Sequence, residues 1–244
     1  MKYAVIIPAR YQSSRFPGKP LVDILGKTMI QRVWERCCLA VERNLVYIAT
    51  DSEEIQKVAV EFGAQVIMTS SDCLTGTDRL AEANLQLDCD FIVNVQGDEP
   101  LISPTDIQTV IKEYENAPNT IINAMCRLKN EQEFRSFTVP KVVVSNSGNL
   151  LYMSRSPIPV TKTDQFKFGY KQVCIYAFSK EHLDFFASHQ KKTAIEEIED
   201  IEILRFLEND IPVKMIEVAT SNIAVDVPDD LKKVVNAINS NERK

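Results

Sequence analysis

Histidine is nearly missing from this sequence. His182 and His189 are the only two, and both fall in one late, largely polar segment. That argues against a histidine-based catalytic triad and against a His-rich metal site. Long apolar runs are missing too, so nothing reads as a membrane span, which needs about eighteen such residues. The start, Met1-Lys2-Tyr3-Ala4-Val5, carries one positive charge and a strand-length apolar run that Arg10 soon interrupts. It lacks the apolar core of a signal peptide. The six cysteines (Cys37, Cys38, Cys73, Cys89, Cys126 and Cys174) form no C-x-x-C pair and no metal-ligand spacing. They read as reduced, mostly buried thiols of a cytoplasmic protein. Neither a Walker A loop nor a Rossmann G-x-G-x-x-G is present. Basic excess is absent as well: the formal net charge is −6, which speaks against a nucleic-acid partner but leaves room for a local basic pocket. No internal repeat or low-complexity segment occurs.

What is present suits a real core. Hydrophobic residues make up 45% of 244, a length that fits one domain, with or without a sizeable insertion. Strand-like runs at Tyr3–Pro8, Leu45–Ala49, Gln65–Met68 and Asp90–Val95 alternate with helical patterns at Thr28–Leu39, Ser52–Phe62 and Asp78–Leu87. Ser52 is placed to cap the second helix, and Ser103 starts a further one with Asp106 in its first turn. Asn119–Cys126 is another strand. This alternation predicts an α/β fold built on a mostly parallel sheet flanked by helices. The pattern changes after about residue 130. Lys141–Val144, Leu150–Ser154 and Gln172–Phe178 read as strands of an antiparallel insert or flap, with Asn146-Ser147-Gly148 as a hairpin turn. A helix over Ile195–Leu207, a strand over Val213–Val218 and a last helix from Pro228 complete the expectation.

Chemistry concentrates in a few segments. The run Val5 to Pro8 opens into a loop holding Arg10, Ser13, Ser14, Arg15 and Lys19. A loop at the carboxyl end of a buried strand is where open α/β sheets bind ligands. Three cations with hydroxyl and backbone donors suit a triphosphate. A solvated basic loop is the competing reading, and Pro17-Gly18, which shape a turn beside the cations, weigh against it. Gln96-Gly97-Asp98-Glu99-Pro100 and Val225-Asp226 each put an aspartate after an apolar run. Two such carboxylates can share one Mg²⁺ with a nucleotide phosphate; singly, each is an ordinary turn or cap residue. Thr75-Gly76-Thr77-Asp78-Arg79 begins a helix and reads as a set of caps or as a nucleoside-binding turn. Arg155, beside a proline-fixed turn, can pair a ligand carboxylate or form a surface salt bridge. Glu196, Glu197, Glu199, Asp200 and Glu202 form a mostly solvated acidic face, on which Glu199 and Glu202 can reach a polyhydroxy ligand together.

Taken in order and spacing, these motifs resemble the 3-deoxy-manno-octulosonate cytidylyltransferase (CMP-Kdo synthetase) family over nearly the whole chain. Those that carry the likeness are Pro8-Ala9-Arg10, Ser13 to Lys19, Gly26-Lys27, Ala49-Thr50-Asp51, Met68-Thr69, Gly76 to Arg79, Gln96 to Pro100, Tyr152 to Pro159 and Val225-Asp226. The resemblance implies a single nucleotidyltransferase domain over 1–244, with an antiparallel dimerisation insert at about 135–215. It implies a cytoplasmic homodimer that takes CTP and a sugar acid, with no nucleic-acid or membrane partner, and serves lipopolysaccharide or capsule synthesis. It places the nucleotide on Pro8, Ala9, Arg10, Ser13, Arg15, Lys19, Thr75, Gly76, Asp78 and Gln96. The sugar falls on Arg79, Gln96, Tyr152, Arg155, Gln172, Tyr176, Glu199 and Glu202, and Mg²⁺ on Asp98 and Asp226. Catalysis falls to Lys19, Asp98 and Arg10. Three segments depart from the family pattern. Gln172 stands where a histidine is usual, Ile203 replaces a glutamine, and Cys73-Leu74-Thr75-Gly76-Thr77 stands for H-x-S-G-T. Gln172 and Ile203 fall on the sugar side, so the acceptor is open between Kdo, an amino-substituted Kdo and another ulosonic acid. A nucleotide-binding regulator without turnover is the alternative of another class; the paired aspartates argue against it.

Overall fold

The first strand, β1 (Tyr3–Ala9), is buried from Ala4 through Ala9. Strands apolar on both faces belong in the middle of a sheet covered by helices on each side, and β1 lies there. A computed structural model describes residues 1–12, 16–219, 223–225 and 227–241. These residues form a nine-stranded sheet. The strands β4 (Val46–Thr50), β5 (Gln65–Met68) and β6 (Phe91–Val95) run parallel to β1. Two further strands, β7 (Ile121–Arg127) and β11 (Val213–Glu217), pair in parallel with one another. Between β6 and β7 lies β10 (Tyr170–Ser179), antiparallel to both. The full path is β11-β7-β10-β6-β1-β4-β5.

Helices cover both faces. On one side α1 (Met29–Ala40), α2 (Glu53–Glu61) and α4 (Pro104–Asn116) pack Val33, Ile55 and Val110 onto Val5, Ile7 and Val93. On the other, α3 (Gly76–Leu87) and α6 (Lys180–Ala187) pack Leu80, Ala83 and Phe186 onto Ala4, Ile6 and Ile92. Their starts follow the local chemistry. Thr28 Oγ1 accepts from the Gln31 amide and Ser52 Oγ from the Ile55 amide, both at 3.3 Å. A short ribbon, β2 (Asp23–Ile24) with β3 (Lys27–Thr28), precedes α1.

The last third differs from the sequence reading in two places. The strand read as part of an insert, β10, is a central member of the main sheet. The true flap is the hairpin of β8 (Lys141–Val144) and β9 (Leu150–Ser154), closed at Gly148 with φ +81° and joined to the sheet through β10. Helix Ile195–Leu207 is two helices, α7 (Ala194–Glu199) and α8 (Leu204–Leu207). Asp200 adopts a left-handed backbone, φ 50°, and stops the first. A short helix, α5 (Glu131–Arg135), precedes the flap, and α9 (Pro228–Asn241) ends the described chain.

Candidate active site

Strand order reverses between β1 and β6: β4 and β5 extend from one edge of β1, and the chain then crosses to the other. In open α/β sheets the crevice outside the carboxyl ends at such a switch point is where ligands bind. A cleft of about 710 Å³ opens there. Pro8, Ala9 and Arg10 leave β1 into it, and Gln96, Gly97 and Asp98 leave β6. The two turns touch: a Cβ on Gly97 would lie 3.0 Å from the Pro8 carbonyl oxygen. Glycine is therefore required for the strand ends to close up.

Lys19 reaches the same point. Gly18, with φ 70°, donates its amide to the Tyr11 carbonyl at 2.9 Å and starts the short turn Lys19–Leu21. Lys19 Nζ then donates to Asp98 Oδ2 at 2.7 Å and to the Val225 carbonyl at 3.0 Å. The Val225 amide in turn donates to the Asp98 carbonyl at 2.9 Å. Next to this pair, Glu99 is buried. Burial and the Asp98 charge push its carboxyl up to about 7. Its Oε1 accepts from the Cys174 amide at 3.3 Å, while Oε2 has no partner among the described residues.

The opposite wall comes from α3 and the α7–α8 segment. Thr75 and Asp78 form a capping box at the start of α3. Glu202 adds a second cap from a distance, accepting from the Gly76 amide at 3.1 Å and the Thr77 amide at 2.9 Å. Burial raises its pKa against these bonds. Gly76 is tightly enclosed, since a Cβ there would sit 3.2 Å from Gln96 Nε2 and 3.4 Å from Glu202 Oε1.

The flap supplies the far rim. Arg155 Nε donates to the Glu199 carbonyl at 2.6 Å, Nη1 to the Phe137 carbonyl at 3.2 Å and Nη2 to the Asp200 carbonyl at 3.0 Å. Its backbone amide donates to Glu199 Oε2 at 2.9 Å. The fork is thus held by its edges, with N–H groups left over for a ligand. Lys141, fully buried, donates to the Arg155 and Ser136 carbonyls. Burial, then the Arg155 charge, pushes its ammonium down to about 8.

Thirteen of the residues expected in the site line this one cleft: Pro8, Ala9, Arg10, Lys19, Thr75, Gly76, Arg79, Gln96, Asp98, Arg155, Gln172, Tyr176 and Glu202. Asp78, Tyr152 and Glu199 stand behind its wall instead. Asp78 caps α3, while the Glu199 carboxylate accepts from Ser154 Oγ at 2.6 Å and from Tyr152 at 3.4 Å. Because Asp200 breaks the helix, Glu199 and Glu202 serve different partners and do not share a face. Glu196, expected on a solvated face, is fully buried against Arg205. Ile203 is 2% exposed in the core beside Leu204 and Phe206, so it packs and lines nothing. Ser13, Arg15 and Asp226 lie outside the described residues. The sequence reading passed over Lys129, Glu133, Lys171, Lys192 and Lys233, which also line the cleft. Lys171 adjoins Gln172 in a segment already compared with the family pattern; the other four are isolated charges in segments without a motif, and only the fold brings them in.

A switch-point cleft with cations and an aspartate at its sheet end and an arginine on a flap defines a nucleotidyltransferase. Within that class the chain belongs to the cytidylyltransferase family, whose model matches residues 4–216. It is 42% identical to the 3-deoxy-manno-octulosonate cytidylyltransferase of Geobacter metallireducens, with 98% of each chain covered. The 8-amino-3,8-dideoxy-manno-octulosonate cytidylyltransferase of Shewanella baltica is 40% identical over 96% of this chain and 97% of its own. A solved CMP:2-keto-3-deoxy-manno-octonic acid synthetase complexed with CTP superposes with a TM-score of 0.88 at 35% identity, covering 99% of this chain and all of that one.

Proposed function

We propose that this enzyme transfers CMP from CTP to the anomeric hydroxyl of a 3-deoxy-ulosonic sugar acid, Kdo, and releases pyrophosphate. The observation that carries the reading is the shared cleft: Arg10, Lys19 and Asp98 at the ends of β1 and β6, with Arg155 across from them on the flap. The sugar hydroxyl attacks the α-phosphorus in line, and the bond to pyrophosphate breaks. Arg10 and Lys19 bind and neutralise phosphate oxygens, and Arg155 holds the sugar carboxylate. Such transfers depend on positioning and electrostatics rather than on protein acid–base groups, in keeping with a cleft that no histidine lines.

Asp98 fits a Mg²⁺ ligand. It is a hard oxygen donor, part-exposed to the cleft, and is held by a lysine that phosphates can draw away. Mg²⁺ commonly takes one or two carboxylates with phosphate oxygens and water, so Asp98 and Asp226 would hold it beside CTP. There it would supply charge neutralisation on the phosphates. Exposed apolar side chains in and just after the flap, Leu151, Val160 and Phe168, support a homodimer. No helix among the described residues is long and apolar enough to cross a membrane. With cysteines that form no disulfide, this supports a cytoplasmic enzyme whose product feeds lipopolysaccharide or capsule assembly. An amino-substituted Kdo is the second reading, favoured by Gln172 in the cleft wall and by the likeness to the Shewanella protein. Pyrophosphate release from CTP, Mg²⁺ and Kdo, compared with the 8-amino sugar, tests both. Silence with every ulosonic acid refutes them together.

A further inference from the structure

Asn123 is hard to explain by packing. It lies in β7, fully buried, between the core residues Ile122 and Ala124. A buried amide is tolerated only when its groups are bonded, and here they are. Nδ2 donates to the carbonyls of Val173 at 3.1 Å and Ile175 at 3.0 Å, and Oδ1 accepts from Gln172 Nε2 at 3.2 Å. Both carbonyls belong to β10 where its register against β7 shifts, between Val173 and Tyr176.

The polarity of this chain follows from chemistry. Carbonyl oxygens only accept, so the Asn123 NH₂ must face β10. Its Oδ1 must then face Gln172, and only the Gln172 NH₂ can bond to it. Gln172 lines the cleft, and its Oε1 has no bond to a described residue. Its carbonyl oxygen is therefore the atom turned away from Asn123 and open to a ligand, beside the single N–H that Asn123 does not take. An unclamped glutamine could turn its amide over and present a donor instead; Asn123 removes that choice.

We propose that Asn123 is a positioning residue that locks Gln172 as a hydrogen-bond acceptor in the sugar half of the cleft. The site thereby selects a sugar acid with an O–H or N–H donor at the matching carbon. The inference rests on the sugar-acid reading above. Exchanging that hydroxyl for an amine keeps the donor and is tolerated. Converting it to a methyl ether removes the donor and is rejected, because a wall built to bond a group discriminates against its absence.

The test is steady-state kinetics with CTP, Mg²⁺ and Kdo for wild type, N123A, Q172L and the double variant, with melting curves in parallel. Each single change is expected to raise the sugar KM by about tenfold, the effect of an unmade bond in a desolvated site. The CTP KM is expected to stay within about twofold. The double variant is expected to be no worse than Q172L, because Asn123 acts through Gln172. Selectivity for Kdo over its methyl ethers is expected to fall in all three. N123S, which keeps one polar group but is one bond too short to reach Gln172 as Asn123 does, replaces N123A should the latter not fold. An unchanged sugar KM in Q172L, an equal rise for CTP, or additive effects in the double variant would overturn the clamp alone. A wild-type enzyme inactive with every ulosonic acid would overturn the parent reading and the clamp with it.

Discussion

The α7–α8 segment is held by one buried ion pair, and its loss should be measurable in the stability of the whole protein. Glu196 and Arg205 both have fully buried side chains. Their pairing is bidentate, Nε to Oε2 and Nη2 to Oε1, each at 2.7 Å. The guanidinium also donates to the Phe186 carbonyl at 3.0 Å and stacks 3.6 Å from the Phe186 ring centroid. Replacing Glu196 by Gln keeps the shape but leaves the buried cation with Asp78, 3.4 Å away, as its remaining charged partner. Removing one member of a buried pair costs about 3–5 kcal/mol, against total stabilities of roughly 5–15 kcal/mol for a domain. With a urea slope of about 3 kcal/mol/M, the midpoint of E196Q should fall by more than about 1 M. The double variant E196M/R205M removes both desolvation penalties and should recover most of the loss. A double-mutant cycle by urea unfolding reads the coupling directly. If E196Q shifts the midpoint hardly at all, or if the single losses simply add in the double variant, the pair is not what holds this segment.

Other outcomes follow from the same geometry. Asp98→Ala should abolish pyrophosphate release while the melting temperature changes little, since the Asp98–Lys19 pair is part-exposed and worth at most about 1 kcal/mol; activity near wild type would reduce Asp98 to a turn residue. Arg155→Ala should raise the sugar KM by about tenfold or more through a lost carboxylate contact with CTP affinity unchanged, and an equal loss for both substrates would place Arg155 elsewhere. Lys141 holds its proton less tightly in the folded chain, about 8 against an ordinary 10.5. The cost of burying its charge is therefore present below pH 8 and is relieved as pH rises towards 10.5. Wild type should gain stability over that window relative to Lys141→Met, and parallel pH profiles would refute the assignment.

Where local pattern and burial agree, the fold was legible. Gln65–Met68, Lys141–Val144 and Leu150–Ser154 occur as strands at the expected residues, and Thr28 and Ser52 cap helices because their hydroxyls sit ahead of apolar turns. Arg10, Lys19 and Asp98 were foreseeable as neighbours because each follows a strand in a fold that gathers strand ends. Long-range demands hid the rest. A continuous helix through Asp200 would satisfy the local pattern, yet Glu196, Glu199 and Glu202 each have a separate partner, and only a break lets all three reach them. Ile203 looked like a specificity change because it stands where the family pattern has a glutamine, whereas the kink turns it into the core. Asn123 gave no signal, being one polar residue inside an apolar strand, and its meaning depends on Gln172, forty-nine residues away in sequence, and on the bulge between Val173 and Tyr176.

Glu202 has a consequence for which way a nucleotide can lie. The start of α3 carries the positive end of the helix dipole, and such ends attract phosphate. The protein has placed its own carboxylate there, on the Gly76 and Thr77 amides. A triphosphate approaching that end meets a negative charge and amides already bonded, while at the β1–β6 end it meets Arg10 and Lys19. On the proposed function the cleft is an electrical one-way slot, in which the uncharged base would lie against α3 and the phosphates at the strand ends. Neutralising that one carboxylate, as in Glu202→Gln, would leave the pocket's shape almost untouched and erase its sense of direction.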